Sequence, residues 1–92
     1  AASGAAVARS RGCMACHSVN GTASVGPTWK GLAGQEVALA DGTVVIADTA
    51  YLAESITAPD AKRVRGFSVT MPRLAVTEAE VAALVAYIET LR

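Results

Sequence analysis

Both cysteines and the single histidine of this 92-residue chain lie within five consecutive positions. Cys13 and Cys16 are three positions apart, and His17 follows directly. Four kinds of site place cysteines at such a spacing: a disulfide, a zinc site, a redox-active dithiol and an attachment site for haem. Each needs different residues elsewhere in the chain, so the rest of the sequence can discriminate among them.

Three of these sites are poorly supported by the remaining sequence. A disulfide between Cys13 and Cys16 would close a very short loop and would restrict the unfolded chain little. A structural zinc site needs four ligands, whereas the motif offers at most three and the chain has no other cysteine or histidine. A thioredoxin-like dithiol needs a βαβ context, but this motif follows a predicted helix and precedes a predicted loop.

Covalent haem attachment uses all three residues of the motif. In C-x-x-C-H, each thiol adds to a vinyl group of haem, and the histidine binds iron on the proximal side. The sequence therefore predicts one covalent haem c per chain, attached at Cys13 and Cys16, with His17 as an iron ligand. We expect the carbonyl of Pro27 to accept the Nδ1–H of His17 and so to fix its tautomer.

Two methionines could supply the second ligand of the haem iron. Met14 lies inside the attachment motif, too close to the proximal side to reach across the ring. Met71 precedes a proline, which favours an extended backbone, and we predict it as the second iron ligand; the alternative is five-coordinate iron with Met71 filling a gap in the core. Trp29 is expected either to cover a haem edge and donate to a propionate or to pack in the core, and Tyr51 is similarly ambiguous.

Charge and composition exclude several classes of function. Eight basic and eight acidic residues cancel, so the chain has no basic field for nucleic acid. It has no run of about 18 apolar residues, so no membrane span is predicted. Four basic residues form a cluster in the sequence: Lys62, Arg63, Arg65 and Arg73. The cluster is interpreted either as a solvated loop or as a docking patch for an acidic partner. Arg65 or Arg73 is also a candidate counter-charge to a haem propionate. Only four aromatic residues occur, so a bound group is expected to fill part of the core.

Three segments have the capping residues and the periodicity of helices. They are residues 3–14 after a possible N-cap at Ser3, residues 49–57 after Asp48, and the C-terminal segment that begins with a capping box at Thr77–Glu80. Residues 18–35 and 60–76 lack a period and are predicted to be loops. The apolar stripe of the C-terminal helix is formed by Val81, Leu84, Val85, Ile88 and Leu91.

Residues 36–47 predict a short antiparallel hairpin. Asp41-Gly42 is a strong signal for a two-residue turn. That turn would place Leu39 opposite Val44 and Val37 opposite Ile46 on one face, with Ala38 and Val45 on the other. A hairpin of this size is too short to be stable alone and is expected to pack on the helices.

Several motifs resemble the monohaem class I cytochrome c family. They are "GAAVARSRGCMACH", "GPTWKGL", "TMP" and "LVAYIETL", and they follow the order of that family over nearly the whole chain. The resemblance implies a mainly α, class I cytochrome c fold with a short two-stranded hairpin insertion, as a single domain over residues 1–92. It also implies packing of the first helix on the last, with Gly4 and Val7 against Leu84, Tyr87 and Ile88. The aromatic residue that the family often has five positions before the first cysteine is Ala8 here.

A closer resemblance runs over residues 26–72. "GPTWKGLAGQEVALADGTVVIADTAYLAESITAP" is similar to the haem domain fused to subunit II of caa-type haem–copper oxidases. It implies a one-electron carrier, without catalysis of its own, between a soluble redox protein and the dinuclear copper centre of a terminal oxidase, itself an oxidoreductase. It further implies that the chain is a fragment of a longer, membrane-anchored, extracytoplasmic subunit, with which the "AASGAA" start is compatible. The alternatives are a free-standing soluble cytochrome c and a five-coordinate haem sensor or peroxidase.

Overall fold

Three α-helices and a two-stranded antiparallel sheet form the regular structure of the residues that the computed structural model describes: 3–67, 71–73 and 75–91. In chain order they are α1 (Gly4–Ser10), a single 3₁₀ turn (Cys13–Ala15), β1 (Glu36–Ala38), β2 (Val44–Ile46), α2 (Thr49–Thr57) and α3 (Glu78–Thr90). The fold is mainly α with a small hairpin, as the sequence predicts. Among the described helices, none has the length and apolar character needed to cross a bilayer.

The first helix ends earlier than the sequence predicts. The Ser3 hydroxyl accepts a hydrogen bond from the N–H of Ala6 and caps the helix, as expected. The helix stops at Ser10, however, because Gly12 adopts a left-handed conformation with φ of 76°. The prediction of one helix through residue 14 is therefore wrong, and the cysteine motif begins on a separate 3₁₀ turn.

Close packing of α1 on α3 depends on Gly4. A Cβ atom at Gly4 would lie 2.2 Å from the carbonyl oxygen of Ala83 and 2.4 Å from Cβ of Tyr87. Val7 of α1 and Leu84 of α3 are buried in the same core. The expected contact between the first and last helices is thus present, and it requires a residue without a side chain at position 4.

The capping box of α3 also binds the end of α1. Thr77 and Glu80 exchange side-chain-to-backbone hydrogen bonds, as the sequence predicts. The Glu80 carboxylate also lies 3.0 Å from the guanidinium of Arg11. The hydrogen bond from the Thr77 N–H and the adjacent Arg11 together lower the pKa of Glu80 from its usual value. Glu80 therefore remains ionised and joins the N-terminus of α3 to the segment that precedes the cysteine motif.

The strands pair in a register that differs by one residue from the predicted one. Val37 lies opposite Val45, and Ala38 lies opposite Val44. The connection has three residues, since the Leu39 N–H donates to the Thr43 carbonyl and the Ala40 N–H donates to Arg63. The Asp41 carboxylate accepts hydrogen bonds from both the hydroxyl and the N–H of Thr43, which lowers the pKa of Asp41 and holds Thr43 in place opposite Leu39.

This register reverses the faces predicted for β2. Val37 and Leu39 are buried and Val45 is half-buried beside them, whereas Val44 is 58% exposed and Ile46 is 50% exposed. The prediction that Val44 and Ile46 share the inner face is therefore wrong. The hairpin contributes Val37, Leu39 and Val45 to the body of the domain.

A pair of threonine substitutions tests the register. Val45→Thr is expected to lower the free energy of unfolding by about 1 kcal/mol, because its hydroxyl would be partly buried. Val44→Thr, on the outer face, is expected to change the stability by less than about 0.5 kcal/mol. Chemical denaturation of both variants distinguishes the two registers, since the predicted two-residue turn would require the opposite order.

The remaining elements agree with the sequence. The Asp48 carboxylate caps α2 by accepting from the Tyr51 N–H at 2.8 Å, and the helix buries Tyr51, Leu52 and Ile56. Residues 60–67 form turns, with one antiparallel bridge between Leu39 and Val64. Residues 68–70 and 74, which belong to the predicted loop 60–76, lie outside the described residues.

Candidate cofactor site

One cleft brings together the seven uncharged residues that the sequence predicts to hold or contact haem. The 3₁₀ turn, the loop after it, α2 and the segment before α3 contribute to its lining: Cys13, Cys16, His17, Pro27, Trp29, Tyr51 and Met71. Much of the remaining wall is apolar and comes from the turn before the hairpin, from the hairpin and from the helices, including Leu32, Val37, Leu52, Ile56, Leu84 and Ile88. The cleft is therefore lined both by sulfur and imidazole groups that can bind a metal and by apolar side chains.

The 3₁₀ turn places both thiols and the imidazole together. The N–H groups of Cys16 and His17 both donate to the carbonyl of Cys13, at 3.2 and 3.0 Å. Cys13 is buried, Cys16 is half-buried, and both are free thiols. Burial raises the pKa of the Cys13 thiol, whereas redox-active dithiols have a thiol with a lowered pKa. This environment disfavours the dithiol interpretation.

The imidazole of His17 is oriented by a backbone carbonyl. Its Nδ1 lies 2.7 Å from the carbonyl oxygen of Pro27, which is the contact expected from the sequence. A carbonyl oxygen can only accept, so Nδ1 carries the proton and the lone pair lies on Nε2. Nε2 is therefore the ring nitrogen that is available to a metal ion.

Gly26 and Trp29 pack against the same ring. A Cβ atom at Gly26 would lie 2.6 Å from Cε1 of His17, so the imidazole lies directly on the backbone of Gly26. Trp29 stacks on His17 with ring centroids 5.3 Å apart, and it meets Tyr87 edge-on at 6.2 Å. Trp29 is buried, so its packing role is present. The sequence analysis missed Gly26, whose only local signal is its position immediately before Pro27.

The cationic residues at the cleft differ from those expected. Arg11, Lys62 and Arg63 line it, whereas Arg65 and Arg73, which were expected to neutralise a propionate, are not among its lining residues. Lys62 forms a salt bridge with a glutamate of α2. Arg11 was missed because its side chain is held by Glu80, 69 positions along the chain, and such a contact is not evident from its position before the motif.

The donors in the cleft fit a covalently attached haem. Two thiols and an imidazole share one short turn, and the thioether of Met71 lines the same cleft. The apolar wall suits a macrocycle, which would supply the large apolar body that the few aromatic side chains do not. Among the described residues, no group of three or more His, Cys, Asp or Glu side chains is arranged to hold a bare metal ion.

A mainly helical domain with C-x-x-C-H and a methionine in one apolar cleft defines a c-type haem protein. The family model for cytochrome c matches residues 1–92, and the chain therefore belongs to the cytochrome c family. Its cofactor is covalent haem c and its activity is electron transfer. Cytochrome c domains typically lie outside the cytoplasm. No significant match to a curated protein was found.

Proposed function

We propose that this cytochrome c accepts electrons from a soluble redox protein and passes them to the dinuclear copper centre of a terminal oxidase. The observation that carries the proposal is the segment that forms the hairpin and α2, because this segment both resembles the haem domain of oxidase subunit II and contributes to the wall of the cleft. Val37, Tyr51 and Leu52 all belong to it and line the cleft.

Four residues would hold haem in this proposal, and Pro27 would orient one of them. Cys13 and Cys16 would hold haem through thioether bonds to its vinyl groups, and His17 would bind iron through Nε2, since its Nδ1 proton is held by the Pro27 carbonyl. Met71, which lines the same cleft, would supply its thioether as the second iron ligand. When bound, haem supplies one-electron cycling between ferrous and ferric iron, and ligation by histidine and methionine favours a high potential.

The aromatic residues of the cleft have supporting roles. Trp29 holds the imidazole of His17 by stacking and would lie against the haem, and Tyr51 of α2 also lines the cleft. If His17 and Met71 both held the iron, no coordination site would remain for a substrate. The domain then transfers electrons without binding a substrate at the metal.

The oxidase assignment places the domain in a larger assembly. In this proposal, residues 1–92 are one domain of a membrane-anchored subunit whose other domain holds the copper centre. The domain would lie on the extracytoplasmic side, where it meets a soluble donor. Fusion to the acceptor would raise the effective concentration of the acceptor and make the second electron transfer intramolecular.

Rapid mixing tests the proposed acceptor. The haem-loaded, reduced protein is mixed with the soluble copper domain of a caa-type oxidase, and the haem absorbance is followed together with that of the copper centre. We expect oxidation of haem with matching reduction of copper. Ferricyanide, a small oxidant that needs no protein interface, serves as the control for redox competence. Oxidation by ferricyanide but not by the copper domain would favour a free-standing cytochrome c with another partner.

A further inference from the structure

We propose that Asn20 is a site of spontaneous covalent modification, at which asparagine converts to aspartate or isoaspartate, and that hydrogen bonds of the surrounding loop limit the rate. Asn20 is the only asparagine of the chain, and Gly21 follows it. Both residues are exposed to solvent. Asparagine is chemically labile, and a following glycine has no side chain to hinder attack by its own backbone nitrogen. The inference does not depend on the electron donor or acceptor.

The conversion needs no reactant except water. The backbone nitrogen of Gly21 loses its proton to solvent and attacks Cγ of Asn20, the side-chain amide takes up a proton and leaves as ammonia, and a five-membered succinimide ring remains. Water then breaks the bond between the nitrogen and one of the two ring carbonyls. Cleavage at Cγ gives aspartate. Cleavage at the main-chain carbonyl gives isoaspartate, in which the backbone runs through the former side chain.

Hydrogen bonds to both reacting groups oppose the first step. The N–H of Gly21 donates to the Thr28 hydroxyl at 3.1 Å, so this bond must break before the nitrogen can lose its proton. The Oδ1 atom of Asn20 accepts from the N–H of Thr22 at 3.1 Å and also from its hydroxyl, and these bonds hold the carboxamide in place. The conversion therefore proceeds from locally opened forms of the loop, and their population sets its rate.

A second turn has the same arrangement with a less reactive side chain. The Asp41 carboxylate precedes Gly42 and accepts hydrogen bonds from the hydroxyl and the N–H of Thr43, as Asn20 does from Thr22. These bonds lower the pKa of Asp41, so it is ionised at neutral pH, and an ionised carboxylate resists attack by a nucleophile. Of the two turns, the structure therefore favours modification at Asn20.

The loop that contains Asn20 also holds a residue that contacts the imidazole of His17. The carbonyl of Ser18 accepts from the Trp29 N–H at 2.8 Å and from the Thr28 hydroxyl at 3.2 Å. Trp29 stacks on His17 with ring centroids 5.3 Å apart. A change in backbone length at position 20 is therefore transmitted through the loop to the predicted iron ligand.

The two products differ in their effect on this loop. Isoaspartate adds one carbon atom to the backbone before Gly21, which displaces its N–H from the Thr28 hydroxyl. Aspartate leaves the backbone length unchanged, and its carboxylate can accept the same hydrogen bonds from Thr22. The side chain of Lys30 passes next to Gly21 and supplies a nearby cation for the new charge. We therefore expect isoaspartate, but not aspartate, to disturb His17.

Incubation of the haem-loaded protein in mildly alkaline buffer, followed by peptide mass spectrometry, tests the restraint by the loop. A synthetic peptide of residues 17–24 is the unrestrained reference and should convert fastest. Thr28→Val removes the acceptor of the Gly21 N–H and should convert roughly fivefold faster than the wild type, as expected for one lost hydrogen bond. Thr22→Val removes one donor to Asn20 and should also convert faster. Thr28→Ser keeps the hydroxyl and should convert at the wild-type rate.

Three results would overturn this part of the proposal: a wild-type rate equal to that of the peptide, unchanged rates in both valine variants, or no conversion in any sample. The converted protein is separated by ion exchange, because each product has one additional negative charge. The isoaspartate form should change the ferric EPR spectrum, which depends on the orientation of the imidazole at the iron. Asn20→Asp is the matched control and should leave the spectrum unchanged. An unchanged spectrum in the isoaspartate form, or the same change in Asn20→Asp, contradicts the coupling to His17.

Discussion

Replacing Met71 with alanine is expected to remove one iron ligand, to lower the reduction potential strongly and to open the iron to small ligands. Met71 lines the cleft that also holds His17, and a methionine opposite histidine raises the potential of haem iron. The ferric protein should lose the red-region absorption band that marks sulfur ligation, and potentiometry should show the lower potential. Azide or imidazole should then bind rapidly to the variant.

Met14→Ala is the matched control, since the chain has only these two methionines. Met14 is half-buried against the hydrophobic core and is not among the lining residues of the cleft. Its loss should leave the absorption band and the potential unchanged. A band that persists in Met71→Ala, or that disappears in Met14→Ala, contradicts the assignment. Rapid binding of azide to the wild type would instead support five-coordinate iron.

Features that depend on neighbouring residues could be predicted from the sequence. Asp48 caps α2, and Thr77 with Glu80 caps α3, because each cap is a hydrogen bond over three positions. The C-x-x-C-H motif is equally local, since one turn brings its thiols and imidazole together. The spacing of the motif is therefore sufficient to predict the cofactor without knowledge of tertiary contacts.

Features that depend on distant segments could not be predicted in this way. Asp41-Gly42 is compatible with two-residue and three-residue connections, and the choice is coupled to a hydrogen bond from Ala40 to the distant residue Arg63. The position of Arg11 at the cleft likewise depends on its contact with Glu80, which is 69 positions away. Neither the Ala40–Arg63 contact nor the Arg11–Glu80 contact leaves a local pattern in the sequence. The faces of the hairpin and the cationic residues of the cleft therefore could not be predicted.

Gly26→Ala is expected to displace the imidazole of His17 and to destabilise the protein by about 1–3 kcal/mol through overpacking. The new Cβ would lie 2.6 Å from Cε1 and 2.9 Å from Nδ1 of the ring. The backbone does not forbid the substitution, because Gly26 is not among the glycines with positive φ. The ring cannot move freely, since its Nδ1 binds the Pro27 carbonyl and Trp29 stacks on it.

Gly12→Ala separates displacement of the ligand from general destabilisation. Gly12 has a φ of 76°, so alanine is strained there, but its Cβ would have no neighbour within 4 Å. Both variants should unfold at lower denaturant concentration. Only Gly26→Ala should change the ferric EPR spectrum, which depends on the orientation of the imidazole at the iron. If the EPR spectrum of Gly26→Ala, like that of Gly12→Ala, equals that of the wild type, then Gly26 supports the loop without positioning His17. The Pro27 hydrogen bond alone would then orient the ligand.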